Sequence, residues 1–503
     1  AYYVIVDAET GTMLWRKNIT SDQTQAVTYN VYSNPNAFVP VHESPAPLSP
    51  GPLNPTLGSQ GAILSRTNVS RIGNEAPYTF NNKGWITDGN NTTDGNAVEA
   101  GVDRDTTNGV DATQIGSPNR VFTSTWNPPP GNPTPGDDPL TAQAQRGTHY
   151  GASHEGEVRW GELVTRLVPS AERVRFTSSG TEATMMAVRL ARAHTGREKI
   201  IRLREHFHGW NDSVTGQPDA EGTLPRAVGV THGALESSIV LPANDIAALE
   251  RTLHDDGGDI AAMIFEATGA HWGTEQIDLA YIQRARELTR EHGVVLIFDE
   301  VITGFRVSAG GAQAAYGVTP DMTTMAKILG GGLPGGAVAG RAEIIDQIAT
   351  GGARPRVSHP GTYNANPLSA AAGATCLEII ADGTHQRRAA DTAATIARGI
   401  NGVFREAGVA GACYGLSSML HIAIGMEQQP DDGYSFGFAA LPCPPPALDP
   451  AVAQARRLGM INEGVDLMGD GLMVSSAHTA EDAARTVEAF RATLAAMKDD
   501  GVL

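Results

Sequence analysis

Residues 294–301 read Val294-Val295-Leu296-Ile297-Phe298-Asp299-Glu300-Val301: five apolar residues in a row, then two acids. A short run of β-branched and aromatic residues predicts a strand buried on both faces, the habit of strands in a parallel sheet. Comparable runs at 174–177, 199–203 and 261–266 predict three more such strands beside the one at 294–299. Between them, residues 182–194, 245–254 and 278–292 carry apolar side chains at helical spacing. Strand–helix alternation of this kind predicts an α/β fold with a mostly parallel sheet covered on both faces. Ligands of such sheets bind beyond the carboxyl ends of the strands, so Asp299 stands where a ligand is met. A buried carboxylate needs a cation or a donor. A protonated pyridine nitrogen is a suitable partner, and the cap of a following helix is the ordinary alternative.

Three other stretches carry chemistry. Ser178-Ser179-Gly180-Thr181-Glu182 lies between a predicted strand and a predicted helix. Small residues at a helix start expose backbone N–H groups and the positive end of the dipole, a ready phosphate cradle. By itself the motif reads first as a plain N-cap with Glu182 in the first turn. Phe207-His208-Gly209-Trp210 offers an aromatic that could lie on a flat cofactor, or simply core packing. Met325-Ala326-Lys327-Ile328-Leu329-Gly330-Gly331-Gly332 sets one lysine among apolar and glycine residues. A desolvated lysine becomes a nucleophile able to form a Schiff base, whereas a solvated loop lysine is the bland reading. In this chain order, a phosphate cradle, an aromatic, a strand-end acid and a lysine in apolar surroundings form the constellation that pyridoxal 5′-phosphate (PLP) requires.

The stretches SSGTEA, HFHGW, LIFDEVITGFR, GVTPDMTTMAKILGGGLPGGA and GTYNANPLSAAAG resemble successive signatures of class III aminotransferases. They are most similar to the glutamate-1-semialdehyde 2,1-aminomutase branch, above all at Gly310–Gln313 and Tyr316–Asp321. The resemblance runs from Gly147 to the C-terminus. It implies a fold type I PLP enzyme, a homodimer with a seven-stranded large domain (147–380) and a small α+β domain (381–503). It implies that Lys327 forms the Schiff base and moves the proton at the substrate carbon. Asp299 would pair with the pyridine nitrogen, with Val301 on one ring face and Phe207, beside His208, on the other. Ser179, Gly180 and Thr181 would hold the phosphate, and Thr362 would reach the phosphate of the neighbouring subunit. Glu266 would lie on the cofactor O3′ side, although Ala267 stands where relatives carry proline. His478 is expected to be structural. The implied reaction is amino-group transfer on a small amino acid or amino aldehyde, by mutase or transaminase. A class III racemase or decarboxylase, or a catalytically impaired truncated PLP fold, are the alternatives.

The rest of the chain differs. Of 503 residues, 41% are apolar and 18% charged, ordinary for a globular protein, and the formal net charge of −18 disfavours nucleic acid and anionic membranes as partners. No apolar run approaches the length of a membrane span. Cys376, Cys413 and Cys443 are odd in number and widely spaced, which fits reduced thiols, a cytoplasmic setting and no metal site. The chain opens as if midway into a strand and reads as truncated. Residues 3–6 and 13–15 predict a hairpin through 7–11. Residues 87–112 are rich in Asn, Asp and Gly, too polar to bury a core. Residues 126–139 read WNPPPGNPTPGDDP, and 126–146 is expected to be an extended linker. Residues 1–125 resemble the propeptide and adjoining region of thermolysin- and fungalysin-type metallopeptidases. No HExxH accompanies them, so no zinc peptidase site is expected. A chimeric joining of two incomplete proteins is the expectation, with a genuine fusion as the alternative.

Overall fold

The computed structural model describes residues 139–503 except 217–227, 349–355, 427–447 and 470, and short strands within residues 1–138. Its packing divides the chain into two units, Ala1–Thr134 and Pro135–Leu503. In the first unit, Tyr2–Val6 pairs antiparallel with Met13–Asn18, the hairpin expected there. Val27–Tyr32 pairs antiparallel with Arg66–Arg71 and parallel with Val121–Phe122. The segment 87–112 lies outside the described residues save for Gly101–Val102 and Ala112, and so does 126–138.

The second unit opens with a correction. Residues 139–146, expected to be extended linker, form helix α1 (Pro139–Arg146). Proline suits a first helical position because its missing N–H would have no intrahelical partner there, and Leu140 to Arg146 contain no further breaker. Helix α2 follows (Glu155–Leu167), capped by the His154 ring, which accepts from the Glu157 N–H.

The large sheet is built from β1 (Arg173–Thr177), β2 (Lys199–Leu203), β3 (Ser238–Leu241), β4 (Ile260–Glu266), β5 (Val295–Asp299), β6 (Met322–Ala326) and β7 (Gly336–Gly340). Their order is β1-β7-β6-β5-β4-β2-β3, and β7 alone runs antiparallel to its neighbours. The long helices between strands are α3 (Gly180–Thr195), α4 (Ile246–Asp256) and α5 (Leu279–Glu291). Strand side chains alternate between faces. Met263, Phe265, Leu296 and Phe298 pack with Leu249, Leu253, Ile282 and Leu288 of α4 and α5. Ala262, Ile264, Val295 and Ile297 pack with Met186, Ala187 and Leu190 of α3. Each fully buried large side chain here contributes about 1.5–3 kcal/mol. Two-sided burial explains why these strands read as continuous apolar runs.

Helices α6 (Pro367–Ile380) and α7 (Thr384–Ala407) lead to an antiparallel sheet of β8 (Gly411–Leu416), β9 (Met419–Ile424) and β10 (Gly471–Met473). Helix α8 (Pro450–Asn462) precedes β10, and α9 (Ala480–Asp499) closes the chain behind a Thr479–Asp482 capping box. Among the described residues no helix is long and apolar enough to cross a membrane, and no metal-ligand cluster occurs. Cys376 and Cys413 are free thiols; Cys443 lies outside the described residues.

Candidate active site

Strand register brings the acids together. Glu266 is opposite Asp299 across β4 and β5, and Asp299 is opposite Thr324 across β5 and β6. Glu266 and Asp299 end their parallel strands, and Thr324 stands in the middle of β6. Asp299 is only 4% exposed. Its Oδ2 meets His208 Nδ1 at 2.7 Å, and its Oδ1 accepts from the Val301 N–H at 3.1 Å and the Thr324 hydroxyl at 3.2 Å. Three donors keep an acid at this depth tolerable. His208 is itself buried, and its Nε2 has no hydrogen-bond partner.

Glu266, 6% exposed, accepts from two loops at once: the Phe207 N–H at Oε1 and the Trp272 N–H at Oε2, both 2.9 Å. Burial pushes its carboxyl pKa up, and the neighbouring His208 and the two N–H donors pull it back. The fully buried His206 accepts the Glu266 N–H at Nδ1, 2.9 Å. Burial, with His208 and His271 nearby, holds the His206 pKa well below its ordinary value, so the ring is neutral.

The Ser178–Glu182 turn caps a helix start. Ser179 Oγ accepts from the Glu182 N–H at 3.2 Å, and Glu182 Oε2 accepts from the Ser178 N–H at 2.6 Å. That is the plain-cap reading, and it holds. It still leaves the Gly180 and Thr181 N–H groups at the start of a sixteen-residue helix, where no intrahelical acceptor exists. A Cβ on Gly180 would lie 2.9 Å from Val301 Cγ1 and 3.5 Å from Ala326 Cβ. A Cβ on Gly209 would lie 2.6 Å from Thr181 Oγ1. The Thr184 hydroxyl donates to the His208 carbonyl at 2.7 Å. The Ser178–Glu182 turn, the loop carrying Phe207 and His208, Val301 and the end of β6 therefore converge.

Lys327 directly follows β6 and begins the 3-10 turn Lys327–Gly330, with φ +49°. Here the structure corrects the expectation of a water-poor setting: the side chain is exposed. The apolar residues around it in sequence turn inward, Leu329 being fully buried, while the turn presents the lysine outward at the sheet's carboxyl edge. Phe207 is 64% exposed, its ring not packed into the core. Thr362 is exposed and, with Ser178, Glu182, Met185 and Tyr363, lines a cavity of about 480 Å³. His478 has a structural role: Nδ1 accepts the Ser475 N–H at 3.0 Å.

Sequence reasoning passed over Thr324, His206 and Trp272. A signal existed for the first, since Thr323-Thr324 are polar residues inside an apolar strand. Trp272 lies in a loop whose geometry no spacing rule specifies.

Set at the carboxyl ends of a seven-stranded, mostly parallel sheet, this site defines a fold type I PLP-dependent enzyme. The residues fit that cofactor: helix N–H groups for a phosphate, a buried carboxylate for a ring nitrogen, an amine for an aldehyde. The chain belongs to the class-III aminotransferase family, which matches residues 138–465. The glutamate-1-semialdehyde 2,1-aminomutase of Rhodopirellula baltica is 41% identical over 291 residues, 57% of this chain and 66% of that protein. The glutamate-1-semialdehyde 2,1-aminomutase 2 of Brevibacillus brevis is 37% identical over 356 residues, 70% of this chain and 80% of that protein. Among solved structures, an omega-transaminase from Sphaerobacter thermophilus is 34% identical with a TM-score of 0.64, covering 71% of this chain and 82% of its own. A transaminase with PLP bound is 27% identical with the same TM-score, covering 73% and 83%.

Proposed function

We propose that the chain moves an amino group on a small amino acid or amino aldehyde in the manner of glutamate-1-semialdehyde 2,1-aminomutase, with PLP held at the site just described. The observation that carries this reading is the convergence of Gly180, Val301 and the β6–Lys327 junction beside the buried Asp299–His208 pair. Bound PLP supplies an aldehyde for the substrate amine and a ring that withdraws electrons. The chain's residues do the rest. The Gly180 and Thr181 N–H groups, with Ser179, bind the phosphate. Asp299 holds a proton on the ring nitrogen, and His208 and Thr324 hold Asp299. Val301 and Phe207 confine the ring between them. Glu266 orients the opposite edge, and Lys327 Nζ moves the proton at the substrate α-carbon. Thr362 serves the phosphate of a second subunit in a homodimer. The cavity it shares with the exposed Met185 and Tyr363 supports that interface. A cytoplasmic setting is favoured by the free thiols of Cys376 and Cys413. The metallopeptidase likeness of residues 1–125 rests on their sequence, and no activity is assigned to it.

The test is borohydride reduction of the full chain with PLP, followed by peptide mass spectrometry. The expected result is one phosphopyridoxyl adduct, on Lys327, lost in Lys327→Ala. An adduct spread over surface lysines, or none, would overturn the assignment. Offering the chain an amino aldehyde alone, against an amino acid with a keto acid, separates mutase from transaminase.

A further inference from the structure

The loop 267–277, between β4 and α5, is held in an unfavourable conformation. His271 and Trp272 both have positive φ, +49° and +53°, between Gly269 at +102° and Gly273 at +108°. Two consecutive L-residues in the left-handed region are strained, because Cβ crowds the backbone carbonyl there. Such a loop persists only where its surroundings over-determine it, and here the small domain does so. The His421 ring of β9 packs on Trp272 at 4.2 Å between centroids, tilted by 38°. Its Nδ1 meets the Thr274 hydroxyl at 3.0 Å, and its Nε2 meets the Trp272 carbonyl at 3.4 Å. A carbonyl only accepts, so Nε2 carries the proton. From β8, the Tyr414 hydroxyl donates to the Thr274 carbonyl at 2.9 Å. On β10, a Cβ at Gly471 would sit 2.3 Å from Trp272 Cη2, so the indole packs where only glycine leaves room.

What this clamp holds is Glu266. The Trp272 N–H is one of the two backbone donors on its carboxylate, and the Phe207 N–H is the other. Glu266 is thus a tie between the clamped loop and the aromatic loop. We propose that His421 and Trp272 are positioning residues: through Glu266 they fix the aromatic loop, so that the small domain sets the shape of the cofactor site without touching it. The cofactor part of this inference rests on the proposed function; the loop coupling does not.

The experiment is amide hydrogen exchange on the full chain, first without PLP. His421→Ala is expected to speed exchange about tenfold both in 267–277 and at the Phe207 amide. In a Glu266→Ala background the tie is already cut, so His421→Ala should add nothing at Phe207. PLP affinity in the otherwise native chain should fall about tenfold with His421→Ala. Faster exchange confined to 267–277, or an equal effect at Phe207 with and without Glu266, would overturn the proposal. Should His421→Ala fail to fold, Tyr414→Phe removes the hydroxyl's bond to the Thr274 carbonyl. It is read against the same two outcomes, with an expected acceleration of about threefold. A native chain that binds no PLP counts against the proposed function alone, because exchange decides the coupling by itself.

Discussion

Replacing Gly180 with alanine probes the packing of the cradle, and the sign of the effect follows from two opposed magnitudes. Gly180 is the first residue of α3 and its φ is not positive, so alanine is allowed by the backbone. In open space the change would stabilise the helix by up to about 0.5–1 kcal/mol. The space is not open. The new methyl would lie 2.9 and 3.0 Å from the two γ-carbons of Val301 and 3.5 Å from Ala326 Cβ. Overpacking of that kind costs about 1–3 kcal/mol. The net expectation is a loss of about 1–2 kcal/mol. Val301→Ala removes both clashing methyls from a half-buried side chain, at a cost of about 1 kcal/mol by itself. Combined with Gly180→Ala it should relieve the strain, so the double variant should be no less stable than Val301→Ala. The cycle then shows a coupling of about 1–2 kcal/mol. Urea unfolding of all four chains measures it, with equal slopes as the control that the same surface is exposed. Effects additive to within about 0.3–0.5 kcal/mol would refute the contact between Gly180 and Val301.

Acid should destabilise the chain through His206. The unfolded ring takes up a proton near pH 6.5, whereas the folded ring resists until well below it. Between those values the unfolded state binds more protons, so stability falls as pH drops through about 6.5, by up to about 1.4 kcal/mol per pH unit. His359, lowered by partial burial and by Arg175, adds to the slope. In His206→Asn a side-chain oxygen can still accept the Glu266 N–H, so the slope of urea stability against pH should flatten by about one proton; an unchanged slope would exclude His206 as the source. Asp299→Asn keeps the shape and leaves one oxygen for the Val301 N–H, so folding should survive. Single-turnover amino transfer should slow on the order of 10²-fold, and a change of only a few-fold would remove Asp299 from the chemistry. Gly269→Ala places a Cβ 1.9 Å from the Glu275 carbonyl at a φ of +102°. It should cost more than about 3 kcal/mol in thermal unfolding, or leave the chain misfolded; a near-native melting temperature would show that the loop adapts.

The fold was legible because its strands are buried on both faces. Residues 261–265 and 294–298 carry nothing but apolar residues up to the acids Glu266 and Asp299, and the observed strands end there. The site was legible wherever a short local motif determines the geometry, as at Ser178–Glu182, where the helix start is capped as its sequence predicts. It was not legible where partners are brought from afar. His208 lies 91 residues from Asp299, and His421 lies 149 residues from Trp272. Helix α1 was missed because the prolines of 126–139 dominate any local reading, although one of them occupies a position that helices accept.

The lysine shows why exposure and fixation must be judged separately. Lys327 was expected in a dry pocket and is exposed, yet its backbone is constrained. Its φ of +49° costs roughly 1–2 kcal/mol, and the turn after it is pinned from behind. Trp160 Nε1 donates to the Leu329 carbonyl at 3.1 Å, and its ring stacks on Phe176 at 4.0 Å. A Cβ at Gly331 would fall 2.4 Å from the Ala372 carbonyl, and one at Gly373 would fall 2.4 Å from that of Leu329. Turn and α6 thus approach backbone to backbone through paired glycines. A long flexible side chain on a rigid base can reach an aldehyde, release it and still return to one place. A buried lysine would first have to shed its charge or find a partner acid. On the proposed reading, the aldehyde and the second subunit complete the dry surroundings around a base that the single chain has already set.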